Sequence, residues 1–331
     1  MSSANEFFEK LWYSSHPLGL LLVPVAWCYA LVIIIRRLCY QSGIFAINHI
    51  DAPVIVVGNI TVGGTGKTPL VLWLVDYFRK KGLKPGVISR GYGGYESDSP
   101  QQVRPDSNPL LVGDEPVLIA RNTLTPVAVA KERRLAAEEL IKHYKCNLII
   151  CDDGLQHYGL GRDIEICVID GQRRFGNERC LPAGPLREPL GRLHSVDMIV
   201  SKYKAARHEY KMDYTYGDLV SLKDNDKIMS IKELEGQEVH AVAGIGNPER
   251  FFAHLRNHNV HVIKHVFPDH HPFKAEDITF HDGLPVVMTE KDAVKCLSFA
   301  NRVHWYLPIK ASLPEAFSIR LDNLMKEAIN G

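Results

Sequence analysis

The segment VVGNITVGGTGKTP (residues 56–69) joins a short β-branched run to a stretch with helical spacing, and its residue types are those that hold phosphate. Glycines at 63, 64 and 66 let backbone N–H groups converge on phosphate oxygens, and the dipole of the helix they open adds positive potential. The nucleotide-binding stretch is expected to comprise Thr61, Val62, Gly63, Gly64, Thr65, Gly66, Lys67 and Thr68. Lys67 can reach β- and γ-phosphates, and the Thr68 hydroxyl can ligate Mg2+. Thr61 stands where the G-x-x-x-x-G-K-[ST] pattern has its first glycine, a departure that the strand–loop–helix setting outweighs. A glycine-rich structural turn would leave Lys67 unexplained.

A magnesium-bearing acid should end a neighbouring apolar strand. Residues 148–153 (LIICDD) provide one: Asp152 is the expected metal-side acid, with Asp153 supporting it or capping a helix. A strand-ending Asp-Asp-Gly also serves as a plain turn signal. Gly113-Asp114-Glu115-Pro116 opens another helical stretch. There Asp114 could accept a hydroxyl proton and Glu115 could help hold magnesium, although acids in a first helical turn also act as caps. FPDHHPF (267–273) offers Asp269, His270 and His271 for a metal site, a catalytic dyad or a surface turn. A zinc site would need further ligands at suitable spacing, and His265 and His281 form no usual pattern with them.

These residues need a frame that brings loops together at one edge. Apolar runs at 54–57, 87–89, 117–121, 126–130, 148–152, 164–170 and 196–201 alternate with helical stretches at 67–81 and 132–144. Strands separated by helices imply right-handed crossovers, hence an α/β fold with a doubly wound, mostly parallel sheet of the P-loop type. Residues 90–112, rich in Gly, Pro, Ser and Asp, read as a functional loop. Beyond about 202 the pattern loosens into a smaller α/β unit. The expected division is an amino-terminal anchor over 1–37, a P-loop core over 38–202 and the smaller unit over 203–331.

Residues 18–35 (LGLLLVPVAWCYALVIII) carry no charge and are followed by Arg36 and Arg37. Such a run at ~1.5 Å per residue spans about 27 Å, enough for a bilayer core. It is too long and bulky for a signal peptide. A buried core helix is the plain alternative, and Pro24 and Gly19, which kink or weaken helices, also allow an interfacial anchor. The two arginines would leave the rest of the chain in the cytoplasm.

The 331 residues allow two ordinary domains. Lys plus Arg (39) nearly balances Asp plus Glu (38). The balance excludes a globally basic nucleic-acid binder, and no nucleic acid or protein partner is expected. Seven scattered cysteines without a C-x-x-C pair suit a reduced compartment.

Two function classes survive: a phosphoryl transferase, or a membrane-tethered nucleotide-driven switch. The [NT]-K-x-D signature of a guanine switch is missing, since TEKD at 289–292 has the wrong spacing and SKYK at 201–204 lacks the acid. GNITVGGTGKTP, SRGYGG (89–94), VGDEP (112–116), DDGLQH (152–157), LPAGPLREP (181–189), FPDHHPF and TEKDAVK (289–295) occur in one order. Together with the apolar amino terminus, these blocks closely resemble the tetraacyldisaccharide 4'-kinase family, from the amino terminus to about residue 300.

The resemblance implies MgATP-dependent phosphorylation of the 4'-hydroxyl of a tetraacyldisaccharide 1-phosphate, giving lipid IVA in lipid A biosynthesis. It implies attachment to the cytoplasmic face of the inner membrane. It favours Asp114 as base, assisted by His270 once domain closure has brought the smaller unit to the phosphate site. Arg90 and Arg187 have planar forks that suit the substrate phosphate, Tyr92 could stack on a sugar, and Arg133 or Arg134 could also bind the substrate. An i,i+4 pair with Glu138 is the ordinary alternative for the helical arginines. The role of Glu290, Lys291 and Asp292 stays open. Another hydroxyl acceptor for the same kinase chemistry is the alternative.

Overall fold

A computed structural model describes residues 11–13, 18–91, 94, 99–224 and 226–330. The first half runs α1 (Leu18–Leu21), α2 (Val23–Gln41), β1 (Val54–Gly58), α3 (Lys67–Lys80), β2 (Pro85–Ser89), β3 (Gln101–Val103), α4 (Pro109–Val112), α5 (Asp114–Thr123), β4 (Val127–Val129), α6 (Arg133–Tyr144), β5 (Leu148–Asp152), β6 (Ile164–Asp170) and β7 (Met198–Lys202). The second half continues with β8 (Tyr210–Tyr216), β9 (Leu219–Ser221), β10 (Ile228–Met229), β11 (Glu238–Ala243), α7 (Glu249–Asn257), β12 (His261–Val266), β13 (Val286–Thr289), α8 (Glu290–Cys296), β14 (His304–Leu307), β15 (Ile309–Ser312) and α9 (Glu315–Asn330).

Nine strands form one sheet in the order β15-β8-β7-β6-β1-β5-β2-β4-β3, parallel except for β3 and β15 at its edges. Its central strands β1, β2 and β5 are buried along their whole length, which explains their continuous apolar runs. β1 pairs with β5 on one side and β6 on the other, so the chain reverses its winding beside the phosphate loop. Helices α3, α5 and α9 cover one face through Leu70, Leu74, Phe78, Val117, Ile119, Phe317 and Leu321. α6 covers the other through Ala136, Ala137 and Leu140.

A second sheet, in the order β10-β9-β14-β13-β11-β12, has a core of its own around Leu219, Val239, Ala241, Phe252, Leu255 and Val287. The sheets divide the chain differently from the expected cut at 202/203. Strand β8 and, after the whole second sheet, β15 and α9 belong to the first sheet. The reason is a long-range pairing: β15 pairs antiparallel with β8, from Ile309↔Tyr216 to Ser312↔Asp213, and the apolar face of α9 then has the first sheet to cover.

At the amino terminus Val23–Gln41 is long and apolar enough, by length and composition, to cross a membrane. Pro24 falls in its first turn, where the missing N–H costs nothing, so it starts the helix instead of kinking it. The helix also runs past residue 37, through the expected end of the anchor. One stripe of it lies on the core. Ala26 is buried, the Tyr29 hydroxyl donates to the Arg187 carbonyl at 3.0 Å, and Arg37 Nη2 donates to Ser195 Oγ at 2.7 Å. The rest of its surface exposes Val25, Trp27, Leu31, Val32, Ile34, Ile35 and Leu38.

Phe317 is fully buried between Trp73 and Tyr210, with edge contacts to both rings at 5.4 Å. Phe317→Ala should therefore destabilise the protein by about 3–5 kcal/mol in denaturant unfolding. A loss below about 1 kcal/mol would mean that α9 is not part of the main core.

Candidate active site

The phosphate loop leaves β1 and enters α3 through Gly66, whose backbone is left-handed (φ 93°). A Cβ there would lie 2.1 Å from the Tyr214 hydroxyl, so a side chain is excluded twice over. The start of the loop is pinned by the LPAGPLREP segment. Val62 N–H donates to Pro185 O at 2.8 Å, Arg187 N–H donates to Ile60 O at 2.7 Å, and Thr61 bridges to Leu186. Thr61 is buried, and it serves as strand-like backbone where the common pattern has a glycine.

Register brings the acids to this edge. Val57 of β1 pairs with Asp152 of β5, which sets Asp152 beside the strand end that leads into the loop. Asp152 is buried and neither of its carboxylate oxygens has a hydrogen-bond partner among the described residues. Burial, reinforced by the charge of Glu115, pushes its pKa above the ordinary carboxylate value despite Lys67. Thr65 Oγ1, in the loop, is buried and unpartnered in the same sense. Asp153 is held differently: Lys67 Nζ lies 3.5 Å from Oδ1, and Arg187 Nη1 takes Oδ1 and Oδ2 at 3.1 and 3.0 Å. Burial would raise its pKa, but the two cations outweigh burial and keep it low.

The catalytic candidates meet across the two sheets. Asp114 is the first residue of α5, while His270 follows β12 of the second sheet. His270 Nδ1 lies 3.0 Å from Asp114 Oδ2. The pair is already joined here without the domain closure expected from the sequence. Burial favours the neutral acid, yet the His270 hydrogen bond and the Lys291 charge overcome it and depress the Asp114 pKa to about 2. The same hydrogen bond raises the pKa of His270 against the opposing burial. Lys291, at the start of α8, reaches Glu115 Oε1 at 3.3 Å, Asp269 Oδ1 at 3.2 Å and His270 Nε2 at 3.5 Å. His271 has turned away to Asp277, at 3.0 Å.

One cleft is lined by several of these groups or their neighbours. Gly64–Thr68, Glu115, Asp269 and Lys291 line it together with Tyr203, Tyr214, Tyr216, Asn247 and Arg250, around a cavity of about 210 Å³. Arg250 of α7 sits over the Tyr203 ring, 3.3 Å from its centre, and closes the far end. Tyr203, Tyr214 and Arg250 escape a sequence reading because they lie in no motif. The available signal was position, since Lys202-Tyr203 ends a parallel strand as Asp152 does.

The remaining arginines are placed unequally. Arg90 is exposed at the end of β2, and its charge reaches His157. Arg133 is buried and donates to Ala130 O at 3.2 Å, whereas half-buried Arg134 makes the ordinary i,i+4 pair with Glu138 at 2.7 Å. Arg133 was expected to touch substrate, but it is buried at the start of α6, and its charge bears on Asp152 from within. Tyr92 lies outside the described residues.

The family model described as Tetraacyldisaccharide-1-P 4'-kinase matches residues 18–326. The chain belongs to that family. A tetraacyldisaccharide 4'-kinase of Nitrosococcus oceani is 48% identical over 328 residues, covering 99% of this chain and 97% of that one. One from Methylobacillus flagellatus is 47% identical over 333 residues, covering 99% of each. A solved structure of LpxK from Aquifex aeolicus in complex with ATP superposes with a TM-score of 0.79 at 27% identity, covering 94% of this chain and 99% of that one. The phosphate loop, the acids of β5 and the Asp114–His270 pair of this family member thus sit on a frame solved with a nucleotide.

The pair also makes a pH signature. His270 has a raised pKa, so its share of stability is fully present below its unfolded value of 6.5 and is lost as pH rises through the folded value. Asp114 is depressed, so its share is present above 3.8 and is lost as pH falls toward about 2. The melting-temperature gap between wild type and His270→Ala should be widest between these limits and shrink above pH 6.5. A gap that widens with rising pH would contradict the charged pair.

Proposed function

We propose that this protein transfers the γ-phosphate of ATP to the 4'-hydroxyl of a tetraacyldisaccharide 1-phosphate, the step that forms lipid IVA. The observation that carries this reading is a single cleft lined by the phosphate loop and by the residues that hold the Asp114–His270 pair. Family membership over nearly the full chain supplies the acceptor.

The buried carboxylate of Asp152, with both oxygens unpartnered, fits a divalent cation; Thr68 and Glu115 would share in holding it. Among the described residues no group of three or more His, Cys, Asp or Glu could cage a metal alone. That suits magnesium, which keeps waters and takes phosphate oxygens as ligands. When bound, Mg2+ would offset charge on the transferring phosphoryl group. Lys67, now beside Asp153, adds a mobile cation to the same phosphates, and the loop N–H groups fix their position. Asp114 stays ionised at neutral pH and can take the acceptor's hydroxyl proton while His270 orients it. Exposed Arg90 is the arginine best placed to meet a substrate phosphate. Arg187 is committed to Asp153.

The amino-terminal segment supports an interfacial seat on the cytoplasmic side of the inner membrane. Trp12 Nε1 donates to Pro182 O at 3.0 Å and Arg36 Nη1 to Gln156 O at 3.4 Å. Both ends of the apolar run are thus tied to one body, whereas crossing a bilayer would separate them by ~30 Å. The exposed apolar stripe of α2 then faces the acyl region.

Transfer of labelled phosphate from MgATP to the tetraacyldisaccharide 1-phosphate in detergent micelles tests the reaction. Asp114→Ala should lower turnover by about 10²–10⁴-fold, and Lys67→Ala by at least about 10²-fold. A folded, ATP-binding wild type that phosphorylates no such lipid would overturn the acceptor. The double change Leu31→Asp and Ile35→Asp should release the protein from anionic vesicles and leave melting unaltered. Undiminished vesicle binding would overturn the interfacial seat.

A further inference from the structure

The TEKDAVK block acquires a task once the second sheet is in place. We infer that Lys291 is a positioning residue that sets the tautomer of His270, directing its ring N–H at Asp114. This inference rests on the reading of Asp114 and His270 as the acceptor-activating pair.

The reasoning is one of donors and acceptors. An ammonium has donors only and no lone pair to offer. Lys291 Nζ lies 3.5 Å from His270 Nε2, nearer than the Asp269 carboxylate oxygen at 3.9 Å, so in the neutral ring it favours a lone pair on that nitrogen. The ring proton then resides on Nδ1, the nitrogen 3.0 Å from Asp114 Oδ2. Asp114 receives a hydrogen bond and keeps its carboxylate character, with its other oxygen, Oδ1, accepting from the Glu115 N–H at 2.9 Å. With the opposite tautomer, the Nδ1 lone pair would face a carboxylate oxygen and the contact would become repulsive.

Lys291 is itself held for this purpose. Asp269 Oδ1 accepts from Lys291 Nζ at 3.2 Å and from the His270 backbone N–H at 3.1 Å, tying the ammonium to the backbone that carries the imidazole. The start of α8 is locked from behind by Asp292, which is fully buried. Asp292 Oδ2 accepts from the Gly244 N–H at 2.8 Å and from Thr289 Oγ1 at 2.6 Å, while Oδ1 lies 2.8 Å from Lys295 Nζ. Strand ends β11 and β13 are thereby clamped together, and Lys291 projects from the clamp into the cleft. Within this block it is Lys291 that reaches His270.

The experiment uses the full-length protein carrying ¹⁵N-labelled histidine, at alkaline pH where the ring is neutral, with His270→Gln to assign the signal. In wild type His270 should be protonated at Nδ1 with Nε2 unprotonated. Lys291→Met should shift its population toward the Nε2–H form, and kcat should fall about 10-fold or more while KM for ATP holds. Lys291→Arg, which still donates, should keep the wild-type tautomer. A wild-type ring protonated at Nε2, or a Lys291→Met protein with an unaltered tautomer, would overturn the role of Lys291. Normal transfer by Asp114→Ala would overturn instead the reading of the pair, so the two failures are told apart.

Discussion

The hydrogen bond between Asp114 and His270 is the point at which two separately cored sheets become one active site. Its partners come from the first turn of α5 and from the loop after β12, 156 residues apart in sequence. Neither sheet holds a complete site. The first offers the phosphate loop, the acids of β5 and the candidate base; the second offers the imidazole and Lys291. The cleft between them exists because both sheets present loops toward the same gap. Charge sets the character of that gap. Asp114, Glu115, Asp152, Asp153 and Asp269 would repel one another if left alone; Lys67 and Arg187 offset Asp153, Lys291 lies between Glu115 and Asp269, and His270 faces Asp114. Asp152 is the exception, and its unpartnered carboxylate is what a divalent cation would satisfy.

Much of this was legible from residue order alone. The phosphate loop, the strand-ending Asp152 and the acids at 114 and 115 announced themselves because each is a local pattern with a local cause: glycines before a helix, carboxylates after an apolar strand. The alternation of strands and helices gave the parallel sheet for the same reason. The pairing of Asp114 with His270 was anticipated by family likeness, and no local spacing specifies it.

Other features lie beyond local pattern. Strand β15 is four residues of mixed polarity that acquire meaning only when β8 offers an open edge. Arg187 looked available for substrate, but the LPAGPLREP segment folds back on the phosphate loop and brings the guanidinium to Asp153. Pro24 looked like a flaw in a helix and is its first turn. Lys291, Tyr203 and Arg250 depend on how two sheets face one another, a relation that neither helical nor strand periodicity encodes.

The late return of the chain to its first sheet has a consequence for synthesis. β15 pairs with β8 only after the second sheet has been made, and Ile309 forms part of the cleft wall. A growing chain therefore exposes the β8 edge and the bare face that α9 will cover until β15 and α9 have been made. An incomplete chain has no full cleft in which to turn over ATP, whereas its open strand edge and uncovered apolar face make it a ready target for chaperones and proteases.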